Sequence, residues 1–316
     1  MKKALIVGHT GQDGTCLGRL LHDNAYEVIG ISRSSVSKNN YGITHVNIDH
    51  VAEVEGLMQN FMPDEVYFLA AVHHSSSDIK MEDGELFQKS FDINVKALIN
   101  FLESVRKFAP KTKLFYAASS HIFGDPLISP QNESTPFQPN CVYGITKTAG
   151  IRACHYYRYN HAIFTSVGIF YNHESPLRES KYVSKKIVQA AVAIKNNIKD
   201  ELLLGSLDSQ IDWGYAPDYM KAVYAMMKQK APDDFVVSSG ELHTINDFVV
   251  GVFDYLQLDP KKYVKVNPQL ITKRQKQNLF GDSQKLRKTT GWSPDVDFKT
   301  LIKILVDVEM KRYASK

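Results

Sequence analysis

Two rhythms of apolar and polar positions take turns along this chain. Short apolar runs recur at Ala4-Leu5-Ile6-Val7, Glu27-Val28-Ile29-Gly30-Ile31, Glu65-Val66-Tyr67-Phe68-Leu69 and Lys113-Leu114-Phe115-Tyr116-Ala117-Ala118, and His45-Val46-Asn47-Ile48-Asp49 joins them with an alternating pattern. Between the runs, residues 16–24, 53–61 and 86–108 repeat their apolar positions at helical spacing. Runs buried on both faces, separated by amphipathic helices, predict parallel strands joined by crossover helices. The predicted fold class is α/β, with a doubly wound parallel sheet. Further on, residues 163–169 and 235–238 predict strands, and residues 143–159, 182–195, 218–228 and 246–256 predict helices. Trp292 reads as a packing residue, and no repeat or low-complexity run interrupts the chain.

Composition narrows the class of function. The chain has 316 residues and a formal net charge of +4 with both signs interspersed, so neither a nucleic-acid-binding nor a membrane surface is indicated. No apolar stretch is long enough to span a bilayer. The three cysteines, Cys16, Cys141 and Cys154, have no metal-ligand spacing and cannot form an even disulfide framework. That usage fits a reducing cytosol, and Met1-Lys2-Lys3 followed by four apolar residues reads as a strand rather than a signal peptide. A cytoplasmic location without metal is therefore expected.

The first apolar run ends in Gly8-His9-Thr10-Gly11-Gln12-Asp13-Gly14. A strand, a glycine turn and a helix start form a dinucleotide site: Gly8 permits the turn, Gly11 lets the backbone approach a diphosphate, and Gly14 lets helix and strand pack closely. Thr10, Gln12 and Asp13 are placed at the cofactor with them. The second strand ends in Ser32-Arg33-Ser34-Ser35, with no acid to accept from a ribose 2′-hydroxyl. Arg33 and Ser34 suit a 2′-phosphate, so NADP is expected, with NAD as the alternative. Asp49 is placed near the adenine, and the small residues of Leu69-Ala70-Ala71 beside the cofactor. His74 opens a polar loop on the substrate side.

The chemistry is expected at the end of the fifth strand, at Ser119-Ser120-His121, and at Tyr143-Gly144-Ile145-Thr146-Lys147. Tyr143 and Lys147 share one helix face, and an ammonium beside a phenol lowers the phenol pKa. Tyr143 is read as the acid/base, Ser119 as holding the substrate oxygen, and Lys147 as tuning Tyr143 and holding the nicotinamide ribose.

Thr10-Gly11-Gln12-Asp13-Gly14, Glu133-Ser134-Thr135-Pro136-Phe137, Asn172-His173-Glu174-Ser175-Pro176, Gly205-Ser206-Leu207-Asp208-Ser209, Asp212-Trp213-Gly214 and Asp218-Tyr219 resemble the GDP-mannose 4,6-dehydratase family of extended short-chain dehydrogenases/reductases. The resemblance runs from residue 3 to about residue 294. It implies a Rossmann NAD(P)-binding domain over residues 1–170. It also implies a smaller α/β substrate lobe, mainly residues 171–316, interleaved with the last Rossmann elements. It further implies a nucleotide-sugar substrate, GDP-linked for preference, and a homo-oligomer, dimer or tetramer, built through helices such as 86–108 and 143–159. Ser120, His74, Asn172, Glu174, Arg178, Lys186 and Arg274 fall in substrate-contacting segments. Two positions depart from the family: its glutamate after the fifth strand maps to His121, and its arginine before Asp-Trp-Gly maps to Ile211. Loss of the carboxylate that removes the C5 proton favours redox chemistry at C4, as 4-dehydrogenase or 4-keto reductase, over water elimination. A 4,6-dehydratase using His121, and a non-catalytic nucleotide-sugar-binding protein, are the alternatives.

Overall fold

A computed structural model of the chain describes residues 1–31, 42–73, 81–271 and 278–315. Its strands are β1 (Lys3–Val7), β2 (Glu27–Ile31), β3 (Gly42–Thr44), β4 (Glu65–Phe68), β5 (Lys113–Ser119), β6 (Thr165–Phe170), β7 (Asn172–Glu174), β8 (Leu202–Leu204), β9 (Gln210–Tyr215), β10 (Asp234–Val237), β11 (Leu242–Thr244) and β12 (Val264–Val266). The principal helices are α1 (Gln12–Asp23), α2 (Val51–Phe61), α3 (Asp83–Phe91), α4 (Ala97–Phe108), α5 (Val142–His161), α6 (Val183–Lys195), α7 (Ala216–Met227) and α8 (Ile245–Tyr255).

Seven strands form one parallel sheet in the order β10-β6-β5-β4-β1-β2-β3. The order reverses at β1, which places a crevice beyond the carboxyl ends of β1 and β4. The period-2 pattern explains how the sheet is clad. Leu5, Val7, Val66, Phe68, Leu114 and Tyr116 enter one core with Phe101, Leu102 and Ile151 of α4 and α5. Their neighbours Ala4, Ile6, Tyr67 and Phe115 enter the opposite core with Leu17, Leu21, Tyr219 and Val223 of α1 and α7. The middle of each of these strands is apolar on both faces because both faces are covered.

The second lobe carries a three-stranded sheet, β11-β9-β7, and the pair β12-β8. A third core, including Trp213, Ile187, Phe248 and Leu305, is enclosed by α6, α8 and the helix Phe298–Ala314. After β9 the chain returns to the main sheet through α7 and β10, so the lobes are interleaved. Trp292 is buried and donates Nε1–H to the Asp218 carbonyl, 2.9 Å, which ties the C-terminal segment to α7.

Three elements differ from the sequence reading. The third strand is Gly42–Thr44 rather than residues 45–49; Asn47 and Asp49 form a turn in which the Asn47 Oδ1 accepts from the Asp49 N–H at 3.2 Å. Helix α1 begins at Gln12, not at residue 16. The long helix over 86–108 is two α segments joined by a π turn, Asp92–Lys96. Among the described residues no helix is long and apolar enough to cross a membrane.

Phe101 is fully buried and meets Phe68 edge-on, ring centroids 5.8 Å apart. Phe101→Ala leaves a cavity between α4 and the sheet, and is expected to cost roughly 3–5 kcal/mol of stability. Urea denaturation followed by circular dichroism measures it.

Candidate active site

The glycine turn is shaped by what it cannot hold. Gly8 has φ +93, and a Cβ there would sit 2.7 Å from the Ala70 nitrogen. A Cβ on Gly14 would sit 2.3 Å from the Gly8 carbonyl oxygen. Gly11, the N-cap of α1, is exposed, and the nearest atom to a Cβ there is 3.4 Å away. The outer glycines are thus demanded by packing and the middle one leaves an open face at a helix N-terminus. That cradle fits a dinucleotide diphosphate. It opens into a cleft of about 300 Å³, walled on one side by residues 8 and 10–14 and Leu69, and on the other by Leu177, Arg178, Glu179 and Tyr182. Ala70 and Ala71 follow, half-buried.

Ser119 closes β5 and is buried; its Oγ accepts from the His121 N–H, 3.3 Å, and so caps the short 3-10 turn Ser120–Phe123. Ser120 is buried in that turn. Tyr143 and Lys147 lie in the first two turns of α5. Lys147 is buried and donates to the Ala117 carbonyl, 2.7 Å, with Nζ 5.6 Å from the centre of the Tyr143 ring. His121 stands edge-on to Tyr143 at 5.8 Å between centroids. Its Nδ1 lies 3.7 Å from the Cys141 sulphur, which also accepts from the Gly144 N–H as the N-cap of α5. Strand end, helix start and histidine are therefore held as one cluster.

Burial pushes the Tyr143 phenol above its usual value; Tyr182 and Asp13 add to this and Arg178 opposes it. Burial lowers the Lys147 ammonium to about 7, with the Asp13 carboxylate acting the other way. The tyrosine is therefore raised and not lowered, the opposite of what its spacing from Lys147 suggests. Desolvation is the largest cause, and the lysine ammonium is turned onto the Ala117 carbonyl.

Several predicted residues have other partners. Gln12 donates Nε2–H to the His173 carbonyl, 3.1 Å, and accepts from the Ser175 hydroxyl, 2.8 Å. Asp13 is engaged by His173. Glu174 is buried, accepts from the Ser184 hydroxyl at 2.7 Å and pairs with Arg178 at 3.3 Å, so it orders the lobe wall. Arg178 does reach the cleft, its guanidinium 3.6 Å from the centre of the Tyr182 ring. Asn172 is exposed on β7, Lys186 is exposed on α6, and the neighbouring Lys185 is the buried one, paired with Glu309 at 2.5 Å. Asp49 is not among the residues that wall the cleft; it lies in the turn after β3. Arg33, Ser34, His74 and Arg274 lie outside the described residues.

Three residues at the site went unassigned in the sequence. His73 stands edge-on to Tyr143 at 4.7 Å, and its Nδ1 lies 3.3 Å from the Tyr182 hydroxyl. In the sequence Tyr182 marks only the start of a helix. Asn94 is fully buried in the π turn; its Oδ1 accepts from the Val72 N–H at 2.8 Å and its amide donates to the Thr146 hydroxyl at 2.9 Å. An asparagine inside a long helix was the available signal, since it is a poor helix former that needs a tertiary reason to be there.

The profile of the family described as GDP-mannose 4,6 dehydratase matches residues 5–305. GDP-mannose 4,6 dehydratase 2 of Arabidopsis thaliana is 35% identical over 331 residues, covering 98% of this chain and 87% of that protein. Among solved structures, dTDP-glucose 4,6-dehydratase from Bacillus anthracis in complex with NAD superposes with TM-score 0.84 at 18% identity, covering 99% of this chain and 98% of that one. RMD from Pseudomonas aeruginosa complexed with NADPH gives TM-score 0.80 at 18% identity, covering 99% and 100%. The likeness in structure shows that the chain shares the fold of these proteins.

Buried Lys147 carries a cost that depends on pH. Its charged form is penalised in the folded state, fully so below its lowered value of about 7, and the penalty fades as pH rises towards the ordinary 10.5. Lys147→Met is therefore expected to raise stability by roughly 1–3 kcal/mol near pH 6 while abolishing turnover. The gain should shrink towards pH 9. Thermal melts across that range check the sign.

Proposed function

The chain belongs to the GDP-mannose 4,6-dehydratase family, and on that premise we propose that it is an NAD(P)-dependent oxidoreductase acting at C4 of a nucleoside-diphosphate sugar. The sugar is a hexose or heptose, GDP-linked by preference. The observation that carries this reading is the convergence of Ser119, Tyr143 and Lys147 at the end of β5, with a histidine where the family's eliminating glutamate stands. The rings packed around His121 are His73 and Tyr143.

In this reading Ser119 holds the C4 oxygen. Tyr143 in its neutral form, which burial favours, gives its proton to the C4 oxygen as hydride arrives at C4, and its phenolate takes that proton back when the C4–H bond breaks in the oxidative direction. Nicotinamide, when bound, supplies the hydride acceptor or donor. Lys147, fixed by the Ala117 carbonyl, holds the ribose beside it. The first and third glycines keep α1 close enough for its N–H groups to face the diphosphate. NADP is preferred to NAD because Ser32-Arg33-Ser34-Ser35 offers a guanidinium and hydroxyls and no carboxylate.

The names of the relatives favour a second reading, 4,6-dehydration, in which His121 moves the C5 proton in place of the glutamate. A purely binding role gives the Ser119, Tyr143 and Lys147 arrangement nothing to do. Exposed apolar residues on α3, α4 and α5 (Phe91, Ile99, Tyr156 and Tyr159) support a homodimer formed through these helices.

Mass spectrometry of GDP-mannose and a GDP-heptose, each incubated with the protein and NADP or NAD, separates the readings. A C4 dehydrogenase gives a product two hydrogens lighter with reduced cofactor; loss of one water instead identifies a dehydratase. No change with either sugar, but turnover of a 4-keto sugar with reduced cofactor, identifies a reductase. Tyr143→Phe is expected to lower redox turnover by roughly 10²–10⁴-fold. His121→Ala should retain C4 redox turnover and His121→Glu should gain water elimination; a wild type that dehydrates readily overturns the C4 reading.

A further inference from the structure

His173 lies on β7, in the second lobe, and its ring reaches the first turn of α1. Nε2 stands 3.0 Å from each Asp13 carboxylate oxygen, and Nδ1 stands 2.8 Å from the Tyr171 carbonyl oxygen. A carbonyl only accepts hydrogen bonds, and so does an ionised carboxylate. A neutral imidazole has one N–H and satisfies one of them; satisfying both takes a second proton. The ring also lies against the face of Tyr219, centroids 4.7 Å apart and planes at 27°, where a cation is favoured.

The charges around the pair are few. Asp13 of α1 faces His173, Arg178 opposes it from the lobe wall, and Arg178 is itself paired with Glu174. Tyr219 of α7 and Phe170 of β6 supply only rings. Burial acts against protonation of His173, and the Asp13 carboxylate outweighs it, so the histidine titrates above its usual value. Burial likewise acts against ionisation of Asp13, and His173 outweighs it, holding the acid below its usual value. The Asp13 charge also bears on Tyr143, Lys147 and Cys16.

Asp13 presents a problem for the glycine turn. A carboxylate in the first turn of a helix suits the dipole, yet it repels the diphosphate for which the turn is shaped. We propose that His173, held as an imidazolium, is the counter-ion of Asp13. It lets the turn accept a dianionic diphosphate and fastens dinucleotide binding to the substrate-lobe strand. The proposal rests on the dinucleotide reading of the cleft. Gln12 reinforces the same joint, bonded to the His173 carbonyl and the Ser175 hydroxyl.

Calorimetric titration with NADP⁺ and with NAD⁺ tests it on the wild type, His173→Gln, Asp13→Asn and the double variant. His173→Gln should weaken dinucleotide binding by about tenfold or more, since it leaves the carboxylate unneutralised. Adding Asp13→Asn should restore most of that loss. Wild-type affinity should fall as pH rises through the His173 titration, above the ordinary histidine range, and Asp13→Asn should flatten the dependence. Independent of any variant, ¹⁵N NMR should find both His173 ring nitrogens protonated at neutral pH. A singly protonated, neutral ring, or losses in the two variants that simply add, overturns the counter-ion role. A folded wild type that binds neither dinucleotide overturns the cofactor reading and this role with it.

Discussion

At the head of α1 the backbone meets backbone with no space for a single methyl group. Gly14 lies against the Gly8 carbonyl, and Gly8 lies against the start of the loop that follows β4. This double approach fixes the height of α1 over the sheet. It also brings the carboxyl ends of β1 and β4 close enough to share one cleft. The lobe wall, the strand-end serine and the start of α5 are all measured from that point. A fold hosting many chemistries can bind a dinucleotide only where such an approach has been kept.

The second constraint is polar. Asn94 sits where the long helix widens into a π turn, and from there it spans two elements: the backbone of Val72 and the hydroxyl of Thr146. Thr146 immediately precedes Lys147, so the bond sets the rotation of α5 about its own axis. The loop carrying His73 is held from the same side chain. Cys141 does a parallel task a few residues earlier, capping α5 while touching His121. The cluster of Ser119, His121, Tyr143 and Lys147 is thus anchored through the neighbouring Asn94, Thr146 and Cys141, as precise sites generally are.

Much of the scaffold was legible because burial on both faces leaves a plain mark. β1, β2, β4 and β5 are apolar runs whose alternate residues enter different cores. β3 was misplaced because it is an edge strand of only three residues, and the alternation at 45–49 belongs to a turn. The start of α1 was hidden because Gln12-Asp13-Gly14 contains residues that favour loops in isolation. At the site, the glycine turn, Tyr143, Lys147 and Ser119 carry a strong local signature, and the structure places the last three at the end of β5 and the start of α5. Their electrostatics carry no such signature. Spacing along a helix says that Tyr143 and Lys147 are neighbours, but not that a carbonyl thirty positions earlier takes the ammonium. The partner of Asp13 was equally out of reach, because it is set by which lobe segment folds over the turn.

The position of β10 has a consequence for the order in which the molecule can be assembled. β10 borders β6 directly, yet the two are separated in sequence by the β7 to α7 portion of the second lobe. Until residue 237 has left the ribosome, the outer edge of β6 has no strand to close it. A bare parallel edge is adhesive. The nascent chain therefore has to extend through β7, α6, β8, β9 and α7 before β10 can join the sheet, so that pairing is a late, long-range event. The two lobes are separate in their cores and inseparable in their synthesis.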